Sequence, residues 1–395
     1  MGVVRARRGA GLAAPRPARG GARGRAVGPE RATALSPNLT LLPLRSRLPS
    51  LLPSRHAPAG PSLAHDTPLT LASLSFSLSH PAPYEIGGNP DSNTLLSDMT
   101  TVICLDDYHM HDRNGRKVAK VTALDEKAQN FDLMYEQVKA LREGKAVDKP
   151  IYNHVSGLLD PAERIEAPKI LVIEGLHPFW DKRVRDLLDL KIYLDISDEI
   201  KFAWKVQRDM AERGHSLESI KASIESRKPD FDAYVDPQKK FADIIIQVLP
   251  TQLIPDEKEG KVLRVRMIQK YGKELFTPAH LFDEGSTVSW IPCGRKLTCS
   301  FPGIKFYYGP DVYGGEEVSV LEMDGQFDNL EELIYVESHL SNTSSKFYGE
   351  ITQQMLKNAT FPGSNNGTGL FQTICGLKIR DTFERITKKE VASVA

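Results

Sequence analysis

Four short apolar runs limit the folds that this chain can adopt, because three of them are followed at once by an acidic residue. They lie at 101–105, 169–173, 190–194 and 244–248. Each has the length and composition of a strand buried on both faces. Helical patterns separate them at 126–142, 200–213 and 217–226. Strands that alternate with helices predict an α/β fold with a mostly parallel sheet and flanking helices.

Strand-like runs lie closer together in the last third of the chain, at 263–269, 287–291, 305–308 and 318–322. They predict a second, mixed sheet that continues the same fold rather than a detached domain. A final helix is expected at about 369–388, after a turn-rich segment. We therefore expect a single α/β domain over residues 85–395, with a mixed β region in its C-terminal part.

Residues 1–84 differ from the rest of the chain. They are rich in Ala, Arg, Pro, Gly, Ser and Leu, and their frequent prolines disfavour long helices and a packed core. We expect a disordered, low-complexity leader. Its composition is typical of an organelle transit peptide, and it is equally consistent with GC-rich non-coding DNA translated in an arbitrary frame.

Charge is distributed unevenly between these two parts. Residues 1–84 contain eleven arginines, no lysine and two acids, a net charge of +9. Because the whole chain has 51 basic and 51 acidic residues, the remainder carries −9. An acidic body argues against nucleic-acid binding, and the absence of a run of about 18 apolar residues argues against a membrane span.

Two carboxylates follow predicted strands, where ligands of open α/β sheets gather. Asp106 could act as the base that accepts a proton from a sugar hydroxyl, or it could cap the next helix. Glu174 is suited to hold Mg²⁺ directly or through water, and Gly175 after it permits an unusual backbone angle. His177 could be functional or simply a packed histidine.

A third charged group lies on the predicted helix at 200–213. Asp209 and Arg213 are four residues apart and share a helix face, as in a plain surface ion pair. Arg208 and Arg213 could instead bind phosphate groups, for which the planar guanidinium is well shaped. The spacing leaves both interpretations open.

Beyond these patterns, residues from about 86 to 395 resemble the chloroplast phosphoribulokinases of plants and algae almost throughout. The resemblance is specific because it consists of several long strings in order. These are GGNPDSN at 87–93, CLDDYH at 104–109, NFDLMY at 130–135, KPIYNH at 149–154, IEGLHP at 173–178, QRDMAERGH at 207–215, FDEGS at 282–286, WIPCGRKLTC at 290–299 and VESHLSN at 336–342.

The resemblance implies a P-loop-kinase-like fold, chloroplast stroma as the location, and transfer of the ATP γ-phosphate to the C1 hydroxyl of ribulose 5-phosphate in the Calvin cycle. ATP and Mg²⁺ are the implied cofactors. Asp106 would be the catalytic base, Asp209 a second catalytic or metal-binding carboxylate, and Glu174 the metal-site acid. Contacts to sugar phosphate or to the transferring phosphoryl group would come from His109, Arg113, Tyr152, His154, Arg208 and Arg213.

The sequence departs from the family at its phosphate-binding loop. Members begin with a strand and Gly-x-x-x-x-Gly-Lys-Ser/Thr, whose amides hold the ATP phosphates. The closest strings here are Gly144-Lys145-Ala146, Gly260-Lys261-Val262 and Gly272-Lys273-Glu274, none followed by Ser or Thr. We expect the family's N-terminal strand and loop to be absent, its neighbours in the sheet to expose unpaired edges, and the chain as printed to be impaired and poorly stable. The alternative is a non-catalytic, redox-dependent scaffold.

Four cysteines bear on regulation. Cys293 and Cys299 are six residues apart, and their spacing alone fits either a redox pair or two buried thiols. The resemblance favours a pair that responds to thioredoxin. It also implies that Cys104 has lost its disulfide partner, which lies in the missing loop of relatives. Further implied partners are a second copy in a homodimer and glyceraldehyde-3-phosphate dehydrogenase joined through a small linker protein.

Overall fold

The fold is seen in a computed structural model of the chain. It describes residues 94–96, 99–154, 156–214, 216–257, 259–281, 297–299, 303–361 and 363–394, with short strands at 2–4, 38–42, 75–79 and 288–290. The rest of the predicted leader, residues 282–287 and residues 291–296 lie outside the described residues. The predicted run at 287–291 is therefore described only at 288–290.

The described elements follow the predicted alternation closely. The strands are β1 (Gly2–Val4), β2 (Asn38–Leu42), β3 (Ser75–Ser79), β4 (Leu95–Leu96), β5 (Thr100–Cys104), β6 (Val147–Tyr152), β7 (Leu159–Ile165), β8 (Ile170–Glu174), β9 (Leu190–Ile196), β10 (Ile244–Pro250), β11 (Leu263–Lys270), β12 (His280–Leu281), β13 (Val288–Trp290), β14 (Lys305–Tyr313), β15 (Glu316–Asp324) and β16 (Leu340–Ser341). The helices are α1 (Arg113–Ala119), α2 (Phe131–Arg142), α3 (Lys182–Arg185), α4 (Asp198–Arg213), α5 (Leu217–Asp230), α6 (Leu333–Glu337), α7 (Glu350–Lys357) and α8 (Gly367–Val394).

One ten-stranded sheet organises the molecule, in the order β13-β14-β15-β11-β10-β9-β1-β8-β5-β4. β5 runs parallel to β8, and β9 runs parallel to β10, which confirms the parallel core. The expectation of a second sheet is wrong, since β11, β15, β14 and β13 continue the first sheet as antiparallel strands. Adding β11 to β10 satisfies backbone groups that would otherwise form a free edge.

The middle of the sheet also differs from expectation. β8 and β9 do not face each other with unpaired edges, because β1 lies between them and runs antiparallel to both. Val3 pairs with Val172 on one side and with Leu190 on the other. Buried strands with unpaired N–H and C=O groups are costly, and an extended segment that fills the gap lowers this cost.

Both faces of the sheet are covered by apolar side chains, as the continuous apolar runs predict. Along β5 and β8, Val102 and Val172 belong to one core cluster, whereas Ile103 and Ile173 belong to the other. The first cluster includes Phe371 of α8, and the second includes Met134, Val138 and Leu141 of α2. Successive residues of a strand point to opposite faces, so each strand contributes to two cores.

Side-chain caps fix where the helices flanking the sheet begin. α2 begins at Phe131 rather than at the predicted residue 126, because Asn130 accepts a hydrogen bond from the Leu133 amide. Ser197 caps α4 through the Ile200 amide in the same way. None of the described helices is long and apolar enough to cross a membrane.

The turn after β8 requires glycine. Gly175 has φ +149°, and a Cβ at this position would lie 2.9 Å from Cβ of Leu105. Gly175 therefore allows the segment after β8 to lie close to the segment after β5. This close contact brings the ends of the two strands together at the edge of the sheet that carries the polar residues.

We predict that Gly175→Ala lowers the free energy of unfolding by about 2–4 kcal/mol, because strain at a glycine-only backbone angle adds to a clash with Leu105. Urea denaturation measures the loss. Gly272→Ala is the matched control, since Gly272 also has positive φ (+71°) but nothing within 4 Å of an added Cβ; we expect about 1 kcal/mol there. Equal losses in both variants would contradict the steric explanation.

Candidate active site

Strand direction brings the candidate carboxylates together. β5 and β8 are parallel, β9 and β10 are parallel, and β1 runs antiparallel to both β8 and β9. All four parallel strands therefore end at the same edge of the sheet. Cys104 on β5 lies directly opposite Glu174 on β8. Asp106 follows Cys104 by two residues and therefore lies just past the end of β5, close to Glu174 in the sheet. We call Cys104, Asp106, His109, His154 and Glu174 the strand-end site.

The two adjacent aspartates after β5 have different environments. Asp107 is fully buried and forms an ion pair with Lys149, which also lies 3.1 Å from Oε1 of Glu163. The Tyr152 amide donates to Oδ1 of Asp107 at 2.8 Å. Burial raises the pKa of Asp107 even though the Lys149 charge lowers it. Asp107 thus attaches β6 to the segment after β5 and is unavailable to a substrate.

Asp106 remains partly exposed. Its side chain is 18% accessible, and Oδ2 lies 3.8 Å from Nε2 of His154. Asp106 lies inside the 3-10 turn at Leu105–Tyr108, and the next helix, α1, is capped by Asp112, so Asp106 is not the helix cap that its position allowed. A carboxylate that is reachable from solvent and level with the strand ends can accept a proton from a bound hydroxyl group.

Glu174 is buried beside Asp106. Burial, followed by the neighbouring Asp106 charge, raises the pKa of the Glu174 carboxyl to about 7. The Glu174 carboxyl also shares a hydrogen bond with Cys104, which partly offsets these effects. Burial and the surrounding acids raise the pKa of the Cys104 thiol well above its usual range. Among the described residues, none forms an ion pair with Glu174 as Lys149 does with Asp107, and the positive charge of the amino terminus lowers the Glu174 pKa only in part.

Imidazole and phenol rings line the other side of the strand-end site. Tyr152 packs edge-on against His109 and His154, with ring centroids 5.0 Å apart in both pairs. Nδ1 of His109 lies 2.8 Å from Nε2 of Gln129, and burial lowers the pKa of His109. Arg116 donates to the Tyr152 hydroxyl at 2.7 Å. The Tyr152 hydroxyl is therefore already engaged within the protein.

Arg113 reaches the same region from α1. Its guanidinium donates to the backbone carbonyl of His154 at 2.9 Å, and its amide donates to the Gly157 carbonyl at 2.8 Å. These bonds connect α1 to the loop between β6 and β7. Arg113 thereby helps to place His154 next to Asp106.

Asp209 lies on α4 in a charge cluster with Lys205 and Arg208. Lys205 Nζ is 2.7 Å and Arg208 Nε is 2.9 Å from its carboxylate oxygens. Burial alone would raise the pKa of Asp209, but the hydrogen bonds from Lys205 and Arg208 lower it. The geometry thus brings Asp209 together with Lys205 and Arg208. The side chain of Arg213 lies outside the described residues.

A groove opens between α4, α5 and the segments that carry Leu124 and Leu176. Arg227, Lys201 and Lys228 line it together with Leu124 and Leu176. The Arg227 charge also lowers the pKa of Lys205, although burial is the larger cause. The α4 charge cluster and the groove are therefore electrostatically connected.

Several residues of these sites were missed by sequence reasoning. Lys205 precedes Asp209 by four residues, the same spacing that drew attention to Arg213, and this was an available signal. Lys149, Arg116 and Gln129 carried no local signal, because their partners are distant in sequence. Of the cysteines, Cys104 and Cys375 are buried, whereas Cys293 lies outside the described residues, so its pairing with Cys299 stays a prediction.

Comparisons with known proteins agree with the resemblance. A sequence model of the phosphoribulokinase / uridine kinase family matches residues 83–255. A protein named phosphoribulokinase, chloroplastic, from Chlamydomonas reinhardtii is 80% identical over 78% of this chain and 82% of its own length. The chain belongs to the phosphoribulokinase / uridine kinase family. The protein of the same name from Spinacia oleracea is 77% identical over 78% of this chain and 77% of its own length.

A solved phosphoribulokinase from Rhodobacter spheroides covers 72% of this chain and 88% of that chain, with 13% identity and a TM-score of 0.40. These values are too low to support an argument. The family assignment rests on the sequence relatives. The role of each residue at the strand-end site stays a prediction.

The raised pKa of Glu174 gives a pH test. A carboxyl with a folded pKa of about 7 and an ordinary value of 4.5 stabilises the fold fully below pH 4.5. That contribution is lost as the pH rises through 7. We predict that Glu174→Gln gains about 3 kcal/mol in unfolding free energy relative to the wild type between pH 4.5 and pH 7.5.

Denaturation at several pH values, with a chelator present, measures this difference. Burial also lowers the pKa of His177 to about 4, but this effect is common to both proteins and cancels. Glu225→Gln, on the exposed face of α5, is the control and should run parallel to the wild type. If the Glu174→Gln curve is also parallel to the wild type, Glu174 is ionised throughout and the argument fails.

Proposed function

We propose that the fold of this chain serves phosphoribulokinase chemistry, the transfer of the ATP γ-phosphate to the C1 hydroxyl of ribulose 5-phosphate in the Calvin cycle. The carrying observation is the partly exposed Asp106 at the ends of the parallel strands, in a chain 80% identical to a protein named phosphoribulokinase. The names of the relatives support the chloroplast as its location. The stroma is the compartment that fits this substrate.

In the proposed reaction, Asp106 accepts the proton of the C1 hydroxyl as its oxygen attacks the γ-phosphorus, and ADP leaves. Because Asp107 is neutralised by Lys149, the acceptor role falls to the more exposed neighbour. Nε2 of His154 lies 3.8 Å from the Asp106 carboxylate, beyond hydrogen-bond distance, so the imidazole borders the proposed base without being bonded to it. Asp209 would be a second catalytic or metal-binding carboxylate, and it also holds Lys205 and Arg208 in place.

The remaining substrate contacts are those that the family resemblance implies, and their chemistry agrees with it. Phosphate groups are negatively charged and are matched by guanidinium and imidazole donors. We propose that His109, Arg113, Tyr152, His154, Arg208 and Arg213 bind the sugar phosphate or the transferring group. Tyr152 would act through its ring and its placement of the two histidines, because its hydroxyl already accepts from Arg116.

Mg²⁺ fits the residues at the strand ends. Asp106 and Glu174 raise the local negative charge, and oxygen ligands of this kind are those that Mg²⁺ prefers. When bound, the ion would neutralise charge on the ATP phosphates. We propose Glu174 as the residue that holds it, directly or through water. ATP itself is expected from the kinase family.

The chain as printed should be a poor catalyst. It contains no Gly-x-x-x-x-Gly-Lys-Ser/Thr string, and positioning of the phosphates accounts for much of the rate in this chemistry. Residues 1–84 are proposed to be a leader outside the kinase domain at 85–395. This deficit is also the observation that favours a second candidate, a scaffold that keeps the family's surfaces without catalysis.

Regulation and assembly are proposed by family resemblance. Cys293 and Cys299 would form a disulfide that thioredoxin reduces, with Cys104 as a thiol whose usual partner is missing. A homodimer, and a complex with glyceraldehyde-3-phosphate dehydrogenase through a small linker protein, would be the assemblies. The scaffold candidate requires only these partners, whereas the kinase candidate requires saturable ATP binding.

We predict that replacing residues 1–84 with a strand followed by Gly-x-x-x-x-Gly-Lys-Ser from a relative raises kcat/KM at least about 10³-fold, because the loop supplies phosphate positioning. The assay follows ADP release with ribulose 5-phosphate, alongside ATP titration of both proteins. In the grafted protein, Asp106→Asn should lower kcat about 10²- to 10⁴-fold. Asp256→Asn, an exposed aspartate, is the matched control and should have no effect.

The outcomes separate the candidates. A grafted protein that folds and binds ATP but transfers no phosphate would reject the kinase proposal and favour the scaffold. A printed chain as active as the graft would instead reject the proposed impairment. Full activity in grafted Asp106→Asn would remove Asp106 from its role.

A further inference from the structure

Three unlike donor groups meet at the strand-end site. The side chains of Cys104, Asp106 and His154 each offer one ligand atom, and these atoms all lie within 4.8 Å of one another. The group combines a thiol, a carboxylate and an imidazole. It draws on the end of β5, the turn after β5 and the loop after β6.

The spacing suits a shared cation better than direct contacts. Nε2 of His154 and Oδ2 of Asp106 are 3.8 Å apart, which is too long for a hydrogen bond. Bonds of about 2.0–2.3 Å to a tetrahedral Zn²⁺ ion place neighbouring ligand atoms roughly 3.3–3.7 Å apart. Separations that reach at most 4.8 Å in the observed arrangement would shorten by about 1 Å when zinc binds.

Access and burial are also appropriate for a metal site. The His154 and Asp106 side chains are 33% and 18% exposed, so an ion can enter from solvent. Cys104, in contrast, is only 7% exposed. A partly open entrance with a buried thiol behind it excludes bulk water from the innermost ligand.

We propose that Cys104, Asp106 and His154 bind Zn²⁺ when Cys104 is reduced, with Glu174 or water as the fourth ligand. Sulfur and nitrogen donors select Zn²⁺ over Mg²⁺, which prefers oxygen ligands. Binding converts the Cys104 thiol to a zinc-bound thiolate and releases one proton to solvent. Glu174 already shares a hydrogen bond with Cys104 and can orient the sulfur.

Zinc and substrate would compete for the same carboxylate. An Asp106 oxygen that coordinates Zn²⁺ cannot accept the proton of a sugar hydroxyl. This site would therefore make a phosphoribulokinase-type centre sensitive to zinc in its reduced state. The zinc-binding proposal itself does not depend on phosphoryl transfer, so its test needs no activity measurement.

The test uses the full-length Cys299→Ser protein, reduced with a phosphine and freed of metal, so that a Cys293–Cys299 thiol pair cannot bind zinc. Zn²⁺ is titrated in competition with a chromogenic chelator. We expect one equivalent to bind. Adding Cys104→Ser or His154→Gln should weaken binding at least about 10- to 100-fold, since even outer-shell changes cost that much.

Co²⁺ provides an independent signal, because thiolate ligation gives it a charge-transfer absorption. That absorption should disappear with Cys104→Ser and persist with Cys375→Ser, which removes a buried thiol on α8. Millimolar Mg²⁺ should not displace the bound zinc. Circular dichroism and thermal unfolding verify that each variant is folded, and the more exposed His154 position gives a second variant if Cys104→Ser does not fold.

Unchanged zinc affinity in both Cys104→Ser and His154→Gln would overturn the proposal. So would displacement of the zinc by Mg²⁺, which would indicate an all-oxygen site. Cobalt absorption that is lost with Cys375→Ser instead would place the thiolate ligand on α8.

Discussion

The buried ion pair between Lys149 and Asp107 is the contact on which the site depends. It attaches the β6–β7 hairpin to the end of β5, and the hairpin carries Tyr152 and leads directly to His154. Removing Lys149 would leave a buried Asp107 carboxylate without its counter-charge. The loss of one partner of a buried ion pair destabilises a fold far more than replacement of both partners by apolar residues. The pair therefore acts mainly through geometry, because it sets the distance between Asp106 and the rings that face it.

Electrostatics then divides the strand-end site into two parts. Lys149 offsets the Asp107 charge, whereas burial and then the Asp106 charge disfavour ionisation of Glu174, which forms no ion pair among the described residues. A protein retains such an imbalance at low cost only when protons or bound cations can neutralise it. Burial of Glu174, followed by the Asp106 charge, raises the pKa of Glu174, and the same arrangement underlies the proposed affinities for Mg²⁺ and Zn²⁺.

The sequence predicted the parts of the fold that depend on local information. Runs such as 170–173 and 244–246 are apolar throughout, so they could be predicted as strands without knowledge of the strands that pair with them. The β6–β7 hairpin was not, because Lys149 interrupts its apolar pattern and is buried only through partners far along the chain. Asp106 and Asp107 are likewise equivalent by composition, and only the tertiary fold shows which of them is neutralised.

The direction of β1 has a consequence for the route of the chain. Gly2 is level with Ile173, next to the strand-end site, whereas Val4 is level with Leu171, farther from it. β1 therefore runs from the side of the strand-end site toward the opposite rim of the sheet. A segment inserted directly after Val4 would begin at the rim of the sheet opposite Asp106. β1 therefore supplies backbone partners for β8 and β9, but its antiparallel direction would place a following phosphate-binding turn at the wrong end of the strands.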